Sequence, residues 1–321
     1  MREYGFELRL CARLERRYPG VVARQLGAAV GGERVMDSVV VTPGPEFEAR
    51  TRLTPQTIPP VVIEADVGVR WTPVTDAFDG PPARARTLAE RGVESGYLES
   101  TVKEGTDCVR AVARYPDWVG EILGFEHKPD LDRPGDLYTQ LRKDASLALF
   151  DEVILTTESY VTGAHLNRIP SEIGVWRVNM ENSGIEVVRE PTPLDVDGPG
   201  LQVVERRAGR TDVRPVSERE KARQRRRTAE RAYGKGWRPA FPACARVEAE
   251  KEVGATLPHC PWKGRVVNPN ADCGADCAGH REGAPPEADL ETERAARTDW
   301  VATPAGGRTE QSRLGGWTTN K

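Results

Sequence analysis

Residues 119–150 read VGEILGFEHKPDLDRPGDLYTQLRKDASLALF, and two periodicities in this stretch decide how the rest of the chain is read. The first part is a strand, with apolar residues bracketing Gly124. Side chains two apart on a strand share a face, so Glu126 and Lys128 emerge together and His127 points away, into a structural or exposed role. Pro129 stops the strand, and Pro134 and Gly135 lead into a helix whose Leu137, Leu141, Ala145 and Ala148 lie on one side. DEVILTTES, at 151–159, then reads as another strand.

Upstream, Phe6, Leu10 and Leu14 recur at helical spacing across residues 3–17, and the helix ends before Tyr18-Pro19-Gly20. VVARQLGAAV and the Val-rich RVMDSVVVTP read as two strands about a GGE turn, stopped by Pro43, Gly44 and Pro45. Downstream, RIPSEIGVWRVN and GIEVVREP read as two more strands. Residues 46–118 interrupt this series with a Pro-rich piece, a helix (ARARTLAERGVESG) and a hairpin (YLESTV, KEGT, DCVRAVARYP), the pattern of a winged-helix-like insertion. The fold expected is α/β: an αβββαβ core over 1–45 and 119–190 with a mixed central sheet.

The remainder differs. Residues 205–238 are strongly basic with little apolar content, a linker or solvated helix suited to phosphate contacts. Residues 239–281 carry Cys244, Cys260, Cys273 and Cys277, the last two in CGADC. Four thiolates in a short segment suffice for tetrahedral zinc or a [4Fe–4S] cluster, with His259 or His280 able to replace one thiol. Residues 283–321, rich in Gly, Ala, Thr and acids, are expected to be disordered.

The chain has 321 residues, 38% hydrophobic and 30% charged, so two or three units are expected. Its net charge of -3 excludes a uniformly basic nucleic-acid binder, and the Arg-for-Lys bias with many acids fits a GC-rich genome and a salt-adapted host. No run of about 18 apolar residues marks a membrane span, and MREYGFELRL does not read as a signal peptide. With Cys11 and Cys108 isolated, the cysteines are not a disulfide framework, and a cytoplasmic, reducing location is expected.

Four polar positions stand out. Glu7 lies on the first helix, Asp37 opens the second strand, and Glu126 and Lys128 end the third. Asp66 is the rival for the place of Asp37, and Glu15 for that of Glu7 if the helix register differs. Phosphodiester hydrolysis needs an activated water and a stabilised leaving oxygen, which carboxylate-bound divalent cations supply. A lysine beside the water steadies developing charge. Two carboxylates about 4 Å apart repel by roughly 4 kcal/mol at an effective dielectric near 20, so a cation must compensate them. Hard oxygen donors select Mg²⁺ or Mn²⁺.

FELRL, RVMDSVVV, GFEHKPDL and the helix carrying Gln140 resemble the PD-(D/E)XK, restriction-endonuclease-like superfamily, and within it the RecB-like branch, which places a Gln in the helix after the lysine. The composition would place such a relative in a haloarchaeal family. The resemblance covers roughly 3–45 and 119–190. It implies Mg²⁺-dependent cleavage of DNA in repair, recombination or defence, by Glu7, Asp37, Glu126, Lys128 and Gln140, with a homodimer allowed. Some RecB-like members also hold a [4Fe–4S] cluster. The departures are Met36 in place of Pro, Asp144 where a Tyr often follows the Gln, and the 46–118 insertion. Two other classes remain: a DNA-binding or regulatory module without catalysis, and an interaction protein that keeps only the fold.

Overall fold

A computed structural model describes residues 3–30, 34–53, 58, 62, 65, 67–112, 116–180, 184–207, 209–274 and 276–301. Asp66 and the 302–321 part of the C-terminal segment lie outside the described residues.

The chain opens with helix α1 (Glu3–Arg17), which carries Glu3 in its first turn and Arg16 and Arg17 in its last, both favourable to the helix dipole. Gly20 follows at φ +92°, where a Cβ would collide with the Val41 carbonyl oxygen, so only glycine lets the chain turn there. Strands β1 (Val21–Gly27) and β2 (Val35–Pro43) then pair antiparallel.

The insertion contains β3 (Thr72–Pro73), α2 (Pro82–Glu94), β4 (Leu98–Lys103) and β5 (Thr106–Ala111). The three strands form a separate antiparallel sheet, order β3-β5-β4. Its own small core gathers Leu53, Val74, Phe78, Ala85, Leu88, Leu98 and Val109.

The chain returns with β6 (Val119–His127), α3 (Leu137–Leu147), β7 (Glu152–Thr157), β8 (Gly174–Val178) and β9 (Ile185–Arg189). The central sheet runs β1-β2-β6-β7-β8-β9. It is mixed: β6, β7 and β8 are mutually parallel, and the flanking pairs are antiparallel. Helix α3 starts later than the sequence suggests, and Ala148 at φ 50° ends it in the left-handed region.

Both faces of the sheet are covered, which is why Val39, Val40 and Val41 are all fully buried. On one side Phe6, Leu10 and Leu14 of α1 pack on Val22, Val40, Leu123 and Phe125. On the other, Val39, Val41, Ile122, Val153 and Leu155 meet Leu137 and Leu141 of α3 together with Ala229, Ala232 and Tyr233. Each Val, Leu or Phe so buried contributes about 1.5–3 kcal/mol.

Those last three residues belong to the basic region 205–238, read as a linker or a solvated helix: most of it is a helix, and one face of that helix is buried, not solvated. The region begins inside a hairpin, β10 (Gly200–Arg207) with β11 (Arg210–Val216), and continues as α4 (Glu218–Lys235). Ser217 and Glu220 close a reciprocal capping box at the start of α4. Small apolar residues let α4 lie close to the sheet, and its Glu230 points inward to Arg50 at 2.6 Å with both side chains fully buried.

The Cys-bearing segment forms a three-stranded sheet of its own, β12 (Glu248–Glu252), β13 (Ala255–Cys260) and β14 (Arg265–Val266). The expectation of disorder from 283 does not hold over Leu290–Arg297, which form helix α5. Polar bonds hold it. Arg297 Nε reaches Glu15 of α1 at 2.8 Å, and Arg238 donates both to Glu15 and to Glu293. Glu15 also accepts from Trp237 Nε1 at 3.0 Å, so this alternative to Glu7 is a structural clamp. Among the described residues no helix is long and apolar enough to cross a membrane.

Candidate active site

The register between β2 and β6 places the acids. Ser38 pairs with Phe125, Val39 with Gly124 and Val40 with Leu123. One step further along the same register stand Asp37 and Glu126. Glu126 shares its parity with Ile122 and lies on the sheet face that carries α3, whereas the alternation of β2 breaks at Asp37, since Met36 packs on that face together with Val39 and Val41. His127, of opposite parity, is buried against Phe6 of α1 with ring centroids 5.9 Å apart. Its backbone N–H donates to Asp37 Oδ2 at 2.8 Å, which ties the two strands together at this level.

Helix α1 brings Glu7 to the same rim. A pocket of about 520 Å³ is lined by Glu7, Asp37, Glu126, Lys128 and Gln140, all five residues singled out in the sequence. Residues the sequence did not flag line it too: Tyr4, Arg24, Gln25, Asp136 and Asn268. Lys128 follows the end of β6, anchored through its backbone N–H to Thr156 O at 2.9 Å. Gln140 lies on α3, with Nε2 3.4 Å from Asp136 Oδ2.

Each carboxylate is turned to a nitrogen partner. Glu7 Oε1 accepts from Arg24 Nε at 3.0 Å and from Gln25 Nε2 at 2.9 Å. The same Gln25 nitrogen donates to Asp37 Oδ1 at 3.2 Å. Glu126 Oε2 is held by Arg34 Nη2 at 2.7 Å, and that guanidinium also takes both oxygens of Asp144, at 3.0 and 2.6 Å. Arg34 and Asp144 had no local sequence signal. Asp144, noted in the sequence only as standing where a Tyr often follows the Gln, is one helical turn beyond Gln140 on α3, and the fold brings Arg34 over it.

The site holds more negative charge than its cations offset. Burial pushes Glu126 up to about 8, the charge of Asp37 adds to this, and Arg34 opposes it. Burial also raises Asp37, against the His127 N–H bond and the charge of Arg34. Asp144 is raised by burial and opposed by Arg34. Desolvation would lower Arg34, but the charges and bonds of Asp144 and Glu126 outweigh it and hold it well above its usual value. Burial pushes His127 down to about 4, so this imidazole is neutral and fills space against α1.

The oxygen donors are of the hard type that suits Mg²⁺ or Mn²⁺. Among the described residues, however, no group of three or more His, Cys, Asp or Glu side chains is arranged to hold a metal ion. In the pocket the reason is visible: Arg34 and Gln25 stand where the carboxylates would otherwise converge on a cation.

The same finding covers the cysteines. Cys244 and Cys260 are buried with Val247 and Val267, and Cys273 packs against them. All four thiols of this segment are free. Three of them open a tight turn closed by the N–H three residues on: Val247 to Cys244 O at 3.0 Å, Lys263 to Cys260 O at 3.0 Å and His280 to Cys277 O at 2.8 Å. Burial and then the charges of Cys244 and Cys260 push Cys273 up. Burial would raise Cys244 as well, but N–H groups of Arg281, Arg246 and Val247 aimed at its sulfur leave it below its usual value.

The model of DUF5787, a family of unknown function, matches residues 21–282. No curated protein and no solved structure matches the chain.

Proposed function

We propose that this chain, a member of the DUF5787 family, is a divalent-metal-dependent nuclease of the restriction-endonuclease-like kind that hydrolyses DNA. One observation carries the reading: the β2–β6 register brings Asp37 beside Glu126 at the rim to which α1 delivers Glu7, with Lys128 and Gln140 lining the same pocket. The element order α1-β1-β2, then β6-α3-β7, is the order such a core requires.

The roles follow from placement. Asp37, Glu126 and Glu7 would hold the cation only in place of their bonds to Gln25 and Arg34, and the cation would supply Lewis acidity and an acidified water. Lys128, half-buried beside Glu126, orients the attacking water and steadies charge on the phosphate oxygens. Gln140 reaches the same volume from α3. Exposed Arg219 and Arg226 of α4 offer contacts to the DNA backbone.

The test is incubation of the full chain with linear, circular and branched DNA, with and without Mg²⁺. Lys128→Ala should lose about 10²- to 10³-fold in cleavage rate while melting normally. An absence of Mg²⁺-dependent cleavage, or an unchanged rate in this variant, rejects the assignment. The hold of Arg34 on Glu126 favours a second reading, a nuclease-like fold that binds DNA without cutting it. That reading requires salt-sensitive binding that persists in Glu126→Ala and no cleavage by the native chain.

For the cysteines we propose a structural zinc on Cys244, Cys260, Cys273 and Cys277, supported by the three Cys-opened turns and by the small apolar cluster beneath them, too small to hold the segment alone.

A further inference from the structure

Helix α4 carries a basic residue at every fourth position: Arg219, Arg223, Arg227, Arg231 and Lys235. Positions four apart are neighbours on a helix, so these side chains form one continuous row about 24 Å long. Like charges at that spacing weaken a helix. The acids of α4 do not relieve them. Glu218 and Glu220 stand in the first turn, where Glu220 is held by Ser217 and Arg214, and Glu230 is buried on Arg50. Among the described residues, Arg219, Arg223 and Arg231 make no ion pair or hydrogen bond. The chain has acids to spare, 49 against 46 Lys and Arg. It uses them on the strands, where Glu99 faces Arg110 and Glu186 faces Arg177 across their ladders. None is spent on these three.

The row is firmly based, and it leads to the pocket. Ala229, Ala232 and Tyr233 pack α4 on the central sheet, so the cations sit on a fixed element. At the C-terminal end Lys235 Nζ donates to the Gln25 carbonyl at 2.8 Å, and Gln25 lines the pocket. Burial, and then the nearby charges of Arg24 and Arg231, push Lys235 down, so positive potential continues from the row to Arg24 at the pocket rim. Cations in a regular row match a polyanion with charges at regular intervals, and the length of the row equals about seven phosphates of one duplex strand at roughly 3.4 Å each. The only ring on α4, Tyr233, is buried. Unpaired strands are held by exposed rings that stack on bases, whereas a duplex is gripped through its phosphates. We infer that the row is a track for duplex DNA, one backbone of which lies along α4 and meets the pocket at Lys235. This track rests on the function proposed above for its ligand, but it needs neither cation nor cleavage.

The experiment measures binding of a labelled DNA duplex of mixed sequence by fluorescence anisotropy, in EDTA, across a KCl series. It compares the full-length native chain with the double variant Arg223→Gln, Arg231→Gln and with Arg86→Gln, which removes a charge from the insertion. The double variant should bind on the order of 10- to 100-fold more weakly at about 0.1 M salt, and its slope of log affinity against log salt should fall by about two. It should melt no lower than the native chain, since like charges have been removed. Arg86→Gln should leave affinity and slope unchanged. An unchanged slope in the double variant overturns the track. So does a single strand that binds as tightly as the duplex, or polyglutamate that displaces the duplex as well as unlabelled duplex does. Failure of the native chain to bind the duplex overturns it as well. Cleavage is scored separately with Mg²⁺. A chain that cuts, with a slope indifferent to the double variant, loses the track and keeps the nuclease. A chain that never cuts, with a slope that falls, keeps the track and loses the nuclease.

Discussion

Arg34 Nη2 lies 2.6 Å from Asp144 Oδ2, and the Asp144 side chain is 1% exposed. This is a nearly dry ion pair, and the same nitrogen reaches Glu126. Removing one partner of such a pair costs about 3–5 kcal/mol, because the other is left charged and desolvated. Arg34→Ala should therefore destabilise the chain by about 3 kcal/mol in urea titration. Arg34→Ala combined with Asp144→Ala should recover most of the loss. Additive losses in the double variant would mean that the two groups are not coupled.

The charge state of Glu126 gives a pH dependence. Its folded-state value of about 8 lies above the usual 4.5, so the folded chain holds that proton more tightly than the unfolded one. The stability this contributes is complete below about pH 4.5 and is lost as pH rises through about 8. Asp37 and Asp144 shift in the same direction. Metal-free protein should lose stability between about pH 5 and 8, and Mg²⁺ should flatten that slope. Near pH 7, Mg²⁺ binding should release roughly one proton, measurable by calorimetry in buffers of different ionisation enthalpy. Stability that rises with pH across this window would contradict the assignment.

Buried Glu230 ties α4 to the insertion boundary. It accepts from Arg50 and, at 2.7 Å, from Trp118 Nε1. Glu230→Ala strands the Arg50 guanidinium, which is fully buried over the Tyr233 ring, 4.0 Å from its centroid. The expected cost is about 3–5 kcal/mol. A loss below about 1 kcal/mol, the range of exposed pairs, would show that Arg50 finds water.

Purified protein should carry one zinc per chain by elemental analysis and no visible absorbance from iron. Chelation, or Cys260→Ser with Cys273→Ser, should loosen the β12–β14 sheet, seen as faster amide exchange there, while the central sheet stays protected. Protein free of zinc, with unchanged exchange under chelator, would remove the metal from the account.

How much of this was legible in the sequence follows the range of the interactions. Glu126 and Lys128 could be placed because the two-residue period of a strand is local, and α1 because Phe6, Leu10 and Leu14 repeat at helical spacing. Gln25 and Arg34 could not be, since their roles exist only once a helix or a second strand lies opposite. The hairpin β10–β11 escaped because its apolar residues Leu201, Val204 and Val213 are exposed and interleaved with charge. Strand β12, EAEKE, carries almost no apolar pattern. Helix α5 is held by Arg297 and Glu293 reaching distant partners, which composition reads as a polar tail.

The clamp on Glu15 has a consequence for how the molecule is made. Trp237, Arg238 and Arg297, which fix the inner acid of α1, follow Glu15 by 222, 223 and 282 residues and so emerge long after that helix. A nascent chain thus carries Glu7 on a helix not yet fastened. The pocket proposed as the site can therefore take its final form only once those later residues have joined the fold.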